Sequence, residues 1–333
     1  MACKHPSWLN VTGGSSKERS LLISNRLSAL MYEALDPTQT ASIMTFIGGT
    51  SKDRLLKEVI SPGTPEAAAS LCNLHVAKAT GRRNPPVLLA NCLLPTDPRL
   101  GHQQHFTTAR CHRVVRKTIP EDRKNILVSI LSRILGPLSD ILCLSSQDFG
   151  GFQGVIEFLK LWTVGGRGSS SLSIAPSLVI IIEGDQLHPQ WDPAVERMFL
   201  KGIPGCADLF DTLNVLRVPT GYHQLMKHLG PIFEKKRTAR KMGNCLFSIL
   251  HLSAFFNEAC SHWIQKPHSP FDFIQATRIL SPVPSDPSEH FNRALSLLGR
   301  DVGLELIASS LLVDNLSPRM HCTDAPTHPR TDY

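Results

Sequence analysis

Ile43-Met-Thr-Phe-Ile-Gly-Gly-Thr-Ser-Lys-Asp-Arg-Leu-Leu-Lys-Glu-Val-Ile60 is the stretch that decides the fold. An apolar run leads into a glycine pair, a lysine follows, and the apolar positions then switch to helical spacing, which reads as buried strand, tight turn and helix. That is the outline of a phosphate-binding loop, in which turn N–H groups converge on phosphate at a helix N-terminus and a Ser/Thr hydroxyl holds Mg²⁺. The details depart from G-x-x-x-x-G-K-[ST]. Counted from Gly48, the second glycine, lysine and hydroxyl fall on Asp53, Arg54 and Leu55; counted back from Lys52, the glycines fall on Phe46 and Ser51 and the hydroxyl on Asp53. The candidate phosphate-contacting residues are Gly48, Gly49, Thr50, Ser51 and Lys52. GTP or ATP is the cofactor class they point to, while the loop offers Mg²⁺ no hydroxyl in register.

Working outward, residues 45–47, 87–89, 140–144 and 178–182 read as short buried strands, the last a continuous Leu-Val-Ile-Ile-Ile run of the kind covered by helices on both faces. Helical spacing separates them at 124–135 and 149–162. Strands alternating with helices predict a doubly wound, mostly parallel α/β sheet, with these four strands as neighbours. Strand signals fade after residue 222, where 246–263 and 290–312 read as helices around a proline-rich linker at 281–287. The expected organisation is a leader with a short helix over 1–40, an α/β core over 41–222, a mainly helical extension over 223–316 and a loose tail over 317–333.

With 333 residues and 42% apolar content, the chain has material for a real core. A net charge of +7 permits acidic partners, but the cations are dispersed and there are only three tyrosines, so no nucleic-acid face is expected. Nine cysteines without a C-x-x-C pair read as reduced thiols, and no apolar run reaches the roughly 18 residues of a membrane span. The expectation is a cytoplasmic protein.

Other clusters were weighed against blander roles. His102, His105, Cys111 and His112 lie close enough for Zn²⁺ but match no standard ligand spacing, and Cys245, His251, Cys260 and His262 sit among core residues. No metal site is assigned. Glu234-Lys-Lys-Arg-Thr-Ala-Arg-Lys241 reads as a solvated helix face. Serines and 14 histidines permit many triads and nominate none, so no catalytic residue is assigned.

Taken with Pro86-Val-Leu-Leu-Ala-Asn-Cys92, Ser139-Asp-Ile-Leu-Cys143, the 178–182 strand and Ala308-Ser-Ser-Leu-Leu-Val-Asp314, the loop resembles the P-loop NTPase-like region of large fungal patatin-like, or lysophospholipase-like, multidomain proteins. The resemblance implies a GTPase-like core beside an acyl hydrolase, with other domains or proteins of a larger assembly as partners. Asp97-Pro-Arg-Leu-Gly101 matches D-x-x-G, so Asp97 and Gly101 join the candidate site, as does Asp185 in Glu183-Gly-Asp-Gln186, where such a GTPase would read guanine. Asn91 stands where an aspartate is expected, and no Asn-Lys-x-Asp follows the 178–182 strand. No G-x-S-x-G nucleophile elbow of a patatin is present. The function this implies is a degenerate NTPase-like regulatory or interaction module with weak or absent hydrolysis. The alternatives are an active GTPase or ATPase with an irregular loop, or a protein-binding α/β scaffold. Any nucleotide should bind weakly, tolerate Mg²⁺ removal and depend on Lys52.

Overall fold

The computed structural model describes residues 5–12, 18–33, 36–57, 59–60, 70–77, 85–101, 112–118, 123–164, 175–184, 202–219, 225–242 and 246–271, with 292 and 296. The tail, the 281–287 linker and the 290–312 helix of the sequence reading lie outside this set, apart from those two residues.

Among the described residues nine strands form one sheet. They are β1 (Ser7–Thr12), β2 (Glu18–Ser24), β3 (Ser42–Gly48), β4 (Cys72–Val76), β5 (Val87–Leu93), β6 (His112–Thr118), β7 (Ile141–Ser145), β8 (Ser177–Glu183) and β9 (Leu213–Val218), in the spatial order β6-β2-β1-β4-β5-β3-β7-β8-β9. The run β5-β3-β7-β8-β9 is parallel throughout. The remaining pairings are antiparallel, so only β4 and β2 run against the common direction. The four strands expected from sequence are neighbours in the order β5-β3-β7-β8, as their apolar runs required. Every residue of β3, β5 and β7 is buried, because helices cover both faces of this part of the sheet.

The N-terminal segment adds more than the short helix expected there. Its helix, α1 (Arg26–Glu33), is preceded by β1 and β2, which extend the sheet. Trp8 on β1 is fully buried and stacks on Phe256 with ring centroids 4.3 Å apart. Leu21 and Leu22 lie on β2, ahead of the helix. The polar residues around these strands hid them. β4 escaped for a similar reason, since it buries Asn73 and His75 among its apolar residues.

The other helices are α2 (Thr50–Lys57), α3 (Arg123–Ile130), α4 (Phe152–Val164), the single turn α5 (Cys206–Leu209), α6 (Leu225–Met242) and α7 (Ile249–Gln265). A π-helical turn, Leu131–Leu135, continues α3. The face of the sheet carrying Trp8, Leu74, Ala90 and Leu142 packs under α1, α3, α4 and α7, and the opposite face, with Met44, Phe46 and Val179, packs under α2 and α6. Among the described residues no helix is long and apolar enough to cross a membrane, and no three His, Cys, Asp or Glu side chains cluster as metal ligands. His251 forms a capping box with Ser248, Cys260 is core, and His262 meets Ser269. Residues 102–111, with His102, His105 and Cys111 of the other cluster, and Cys245 lie outside the described set, while His112 opens β6.

The charge run on α6 is solvated only in part, at Glu234, Lys235 and Lys241. Lys236 and Arg240, one turn apart, are both buried. Lys236 reaches Asp211 at 3.2 Å, and Arg240 Nε lies 2.7 Å from Asp140 Oδ1 as an ion pair while its other nitrogen donates to the Ser139 carbonyl at 3.0 Å. Asp140 Oδ2 accepts the Ile43 N–H at 2.9 Å. The i, i+4 spacing of the two cations on a helix whose apolar face is buried was the signal available in the sequence. Because Arg240 and Asp140 are desolvated together, removing one partner strands the other. Arg240→Ala should therefore lower stability by about 3–5 kcal/mol, measured by urea unfolding, whereas Lys235→Ala on the exposed side should change it by less than about 0.5 kcal/mol.

Candidate functional site: a glycine turn closed by an internal carboxylate

The site forms where β3 ends, between β5 on one side and β7 on the other. The chain leaves this central strand toward both neighbours, and in open α/β sheets the crevice beyond the carboxyl ends at such a switch point is where ligands bind. Gly48 ends β3, Gly49 follows and Thr50 opens α2. The first-turn N–H groups of α2 have no partner within the helix, so the segment needs an acceptor from outside.

That acceptor is Asp148. Its Oδ1 accepts the Ser51 N–H and its Oδ2 the Lys52 N–H, each at 2.9 Å. Both glycines make room for it: a Cβ on Gly48 would stand 2.5 Å from Asp148 Oδ2, and one on Gly49 would stand 3.2 Å from Oδ1. Thus the glycine pair that reads as a phosphate cradle accommodates a carboxylate of the same chain. Asp148 is presented by a 3₁₀ turn, Ser146–Phe149, that leaves the end of β7 and closes on Gly150 at φ 78° and Gly151 at φ 101°. Only glycine takes these left-handed values cheaply. Gln147 fixes the same turn to β8 by donating to the Glu183 carbonyl at 2.6 Å.

Lys52 does not face the turn. It is 1% exposed, and its Nζ donates to the Cys92 carbonyl at 2.8 Å and lies 3.4 Å from Asp53 Oδ1. Burial lowers its pKa, with the neighbouring Asp53 acting in the opposite sense. Asp53, at the position of the missing hydroxyl, is taken by Arg99 at 2.7 Å, and Arg99 also grips Asp97 at 2.8 Å. Burial raises the Asp97 pKa, but the hydrogen bonds and charge of Arg99 outweigh it and hold the group below the usual carboxylate range. Asn91 donates to Asp53 at 3.4 Å.

Of the residues singled out in the sequence, Gly48, Gly49, Ser51 and Lys52 meet at Asp148, while Thr50 is exposed at the start of α2. Asp97 is joined to this group through Arg99 and Asp53, and its Oδ1 caps its own turn by accepting the Arg99 N–H at 2.9 Å. Gly101 ends the 3₁₀ turn Pro98–Gly101. Asp185 lies outside the described residues. Glu183, just before it, is buried and 3.7 Å from Arg54, with burial raising its pKa. Asp148 and Arg99 were missed by the sequence reading. The available signal for Asp148 was an acid followed by Phe-Gly-Gly directly after the strand neighbouring the glycine turn. Beside Asp148, a cleft of about 200 Å³ is lined by Leu94, Pro95, Thr96, Phe149, Phe158 and Leu161, among others.

No protein-family model matches the chain, and no curated protein matches it. Among solved structures it is similar to a point-substitution variant of SsGBP, at 13% identity over 64% of this chain and 61% of that one, with a TM-score of 0.31. It is similar to SsGBP in complex with GDP, at 11% identity over 64% and 55% of the two chains and a TM-score of 0.32. It is also similar to the conserved domain of the dynein light intermediate chain, at 10% identity over 87% and 95% and a TM-score of 0.32. The chain therefore spans less than two thirds of either SsGBP chain. At these scores the likenesses add nothing to the α/β assignment, which rests on strand order and register.

Two outcomes follow from the site. Asp148→Ala removes the charged acceptor of two N–H groups and should cost about 1–3 kcal/mol of stability, read from the urea midpoint at constant slope. His75 on β4 is buried with neither ring nitrogen hydrogen-bonded, and burial, then the charges of Arg26 and Lys52, lower its pKa from 6.5 to about 4. Its folded form stays neutral while the unfolded chain takes up a proton. The resulting stability is present above pH 6.5 and is lost as pH falls toward 4, by up to about 3 kcal/mol. His75→Leu should flatten the thermal-midpoint profile between pH 6.5 and 4.5.

Proposed function

We propose that the chain is a P-loop NTPase-like module that works without hydrolysis, as a regulatory or interaction unit of a larger intracellular assembly. The observation that carries this reading is the Asp148 carboxylate lying where the turn N–H groups would otherwise meet phosphate. A triphosphate entering there has to displace an anion already held by two charge-assisted hydrogen bonds and close behind both glycines. Two other features agree with it. Lys52 is withdrawn to the Cys92 carbonyl, and Asp53 carries a carboxylate, neutralised by Arg99, where a metal-binding hydroxyl would be needed. The sequence resemblance supplies the expectation that the partner is another domain or protein of the same assembly.

GTP and ATP remain the ligands the fold would suit once Asp148 moves aside. The buried position of Lys52 changes what its substitution should do: Lys52→Ala acts first on stability, because it removes a packed stem and the donor to Cys92. The informative substitution is Asp148→Asn, which keeps the shape of the side chain and removes its charge. Calorimetry with GTP, GDP, ATP and ADP, with and without Mg²⁺, should give no heat for the native protein and a measurable uptake for Asp148→Asn. Tight binding by the native protein that vanishes on chelating Mg²⁺ would replace this reading with an active NTPase.

A further inference from the structure

Behind the Lys52 anchor, β4 and β5 place two thiols against each other. The register sets Cys72 directly opposite Cys92. The flanking pairs fix which kind of site this is: Leu93 N–H donates to the Leu71 carbonyl at 2.9 Å, and five residues along the ladder Ala77 N–H donates to the Val87 carbonyl at 3.0 Å. Hydrogen-bonded and non-hydrogen-bonded pairs alternate in an antiparallel ladder, so Cys72 and Cys92 occupy a non-hydrogen-bonded pair, the closer kind, at a Cα separation of roughly 4.5 Å. That spacing falls within the range a disulfide spans without backbone movement. Both side chains face the same buried layer, and the Cys72 thiol donates to the Asn73 carbonyl at a long 3.8 Å. Both cysteines are reduced.

We propose that Cys72 and Cys92 are a latent cross-strand dithiol that hydrogen peroxide converts to a disulfide, tying β4 to β5 at the residue whose carbonyl holds Lys52. In the first step one sulfur, as thiolate, attacks a peroxide oxygen. The O–O bond breaks, and hydroxide leaves to become water, giving a sulfenic acid. The second thiol sulfur then attacks the sulfenic sulfur, the S–O bond breaks, and the departing hydroxide takes the second thiol proton. Two thiols and one peroxide yield one disulfide and two waters, the two electrons coming from the sulfurs.

Both thiols are wholly buried, so the reaction needs an opening, and the fold has a weak seam next to Cys72. The β1–β4 ladder holds only the pairs Ser7↔Asn73 and Leu9↔Cys72, with a register shift between them. Beside the shift, Leu71 N–H turns to the Asn10 side chain at 3.2 Å instead of a backbone carbonyl. Local opening at such a place requires less than global unfolding. Cys143 serves as the internal control. It is equally buried, but it lies on the other face of the sheet and its register partners are Phe46 and Val179, so among the described residues no thiol stands opposite it.

The test exposes the folded native chain to millimolar hydrogen peroxide for several hours, removes the peroxide with catalase, and unfolds the protein in an alkylating agent. A non-reducing peptide map then follows. The expected result is a Cys72–Cys92 linked peptide at least about tenfold more abundant than any disulfide containing Cys143, together with an upward shift of the melting temperature that dithiothreitol reverses. The same exposure in concentrated urea should give mixed pairings. Three results overturn the proposal: Cys72 and Cys92 as fully alkylated as Cys143, Cys72 linked to another cysteine or converted to sulfinic acid, or the same mixture from the folded and unfolded chains.

Discussion

β7 is gripped and gripping at both ends, and the glycine turn takes its shape from that strand. At its amino end Asp140 accepts the first amide of the β3 core and pairs with Arg240 from α6. Past its carboxyl end Asp148 accepts the first amides of α2. The β3–turn–α2 unit is thereby clamped by two carboxylates of the neighbouring strand, one below and one above. The Asp140 clamp is desolvated, so an unpaired partner there is far more expensive than a paired one is favourable, while the Asp148 clamp is half-buried. These two carboxylates hold the unit in its observed form.

The same arrangement accounts for the glycine pair at the turn. Glycines are required wherever an anion comes close to backbone, whether the anion is phosphate or a side chain. Gly48 and Gly49 are therefore consistent with either occupant, and it is the surrounding groups that differ. A functioning cradle needs its lysine free to meet the ligand. Here the ammonium donates to a carbonyl of β5 and lies beside Asp53, so that Lys52 and Arg99 together offset the carboxylates of Asp53 and Asp97.

The parallel half of the sheet was legible in the sequence because burial on both faces makes β3, β7 and β8 mostly apolar, with Ser42, Thr45 and Ser145 among the buried exceptions, and short apolar runs separated by helices permit few topologies. The antiparallel half was not. β4 carries Asn73 and His75 into the interior, and the hydroxyls of Ser7 and Ser70 meet each other in the core at 2.8 Å, so those strands show no clean alternation. For the site, the glycine turn was legible from composition, whereas the orientation of Lys52 depends on the position of the Cys92 carbonyl, which only the β3–β5 register fixes. Asp148 lies nearly 100 residues from the turn it closes. Its pairing is a product of strand order, and single-sequence spacing carries no information on strand order.

The stack of Trp8 on Phe256 has a consequence for how the chain comes into being. The opening strands of the sheet are sealed by a helix made some 240 residues later, and that helix also meets α1 through Ser28 and Ser253 and the start of β3 through the Ala41 amide and the Phe247 carbonyl. During synthesis the parallel strands can assemble as they emerge, but the tryptophan face stays open to water or to a chaperone until α7 has left the ribosome. The tryptophan face of β1 is thus covered by a segment made long after it. Until then, β1 and β2 present an apolar surface that any neighbouring nascent chain can meet first.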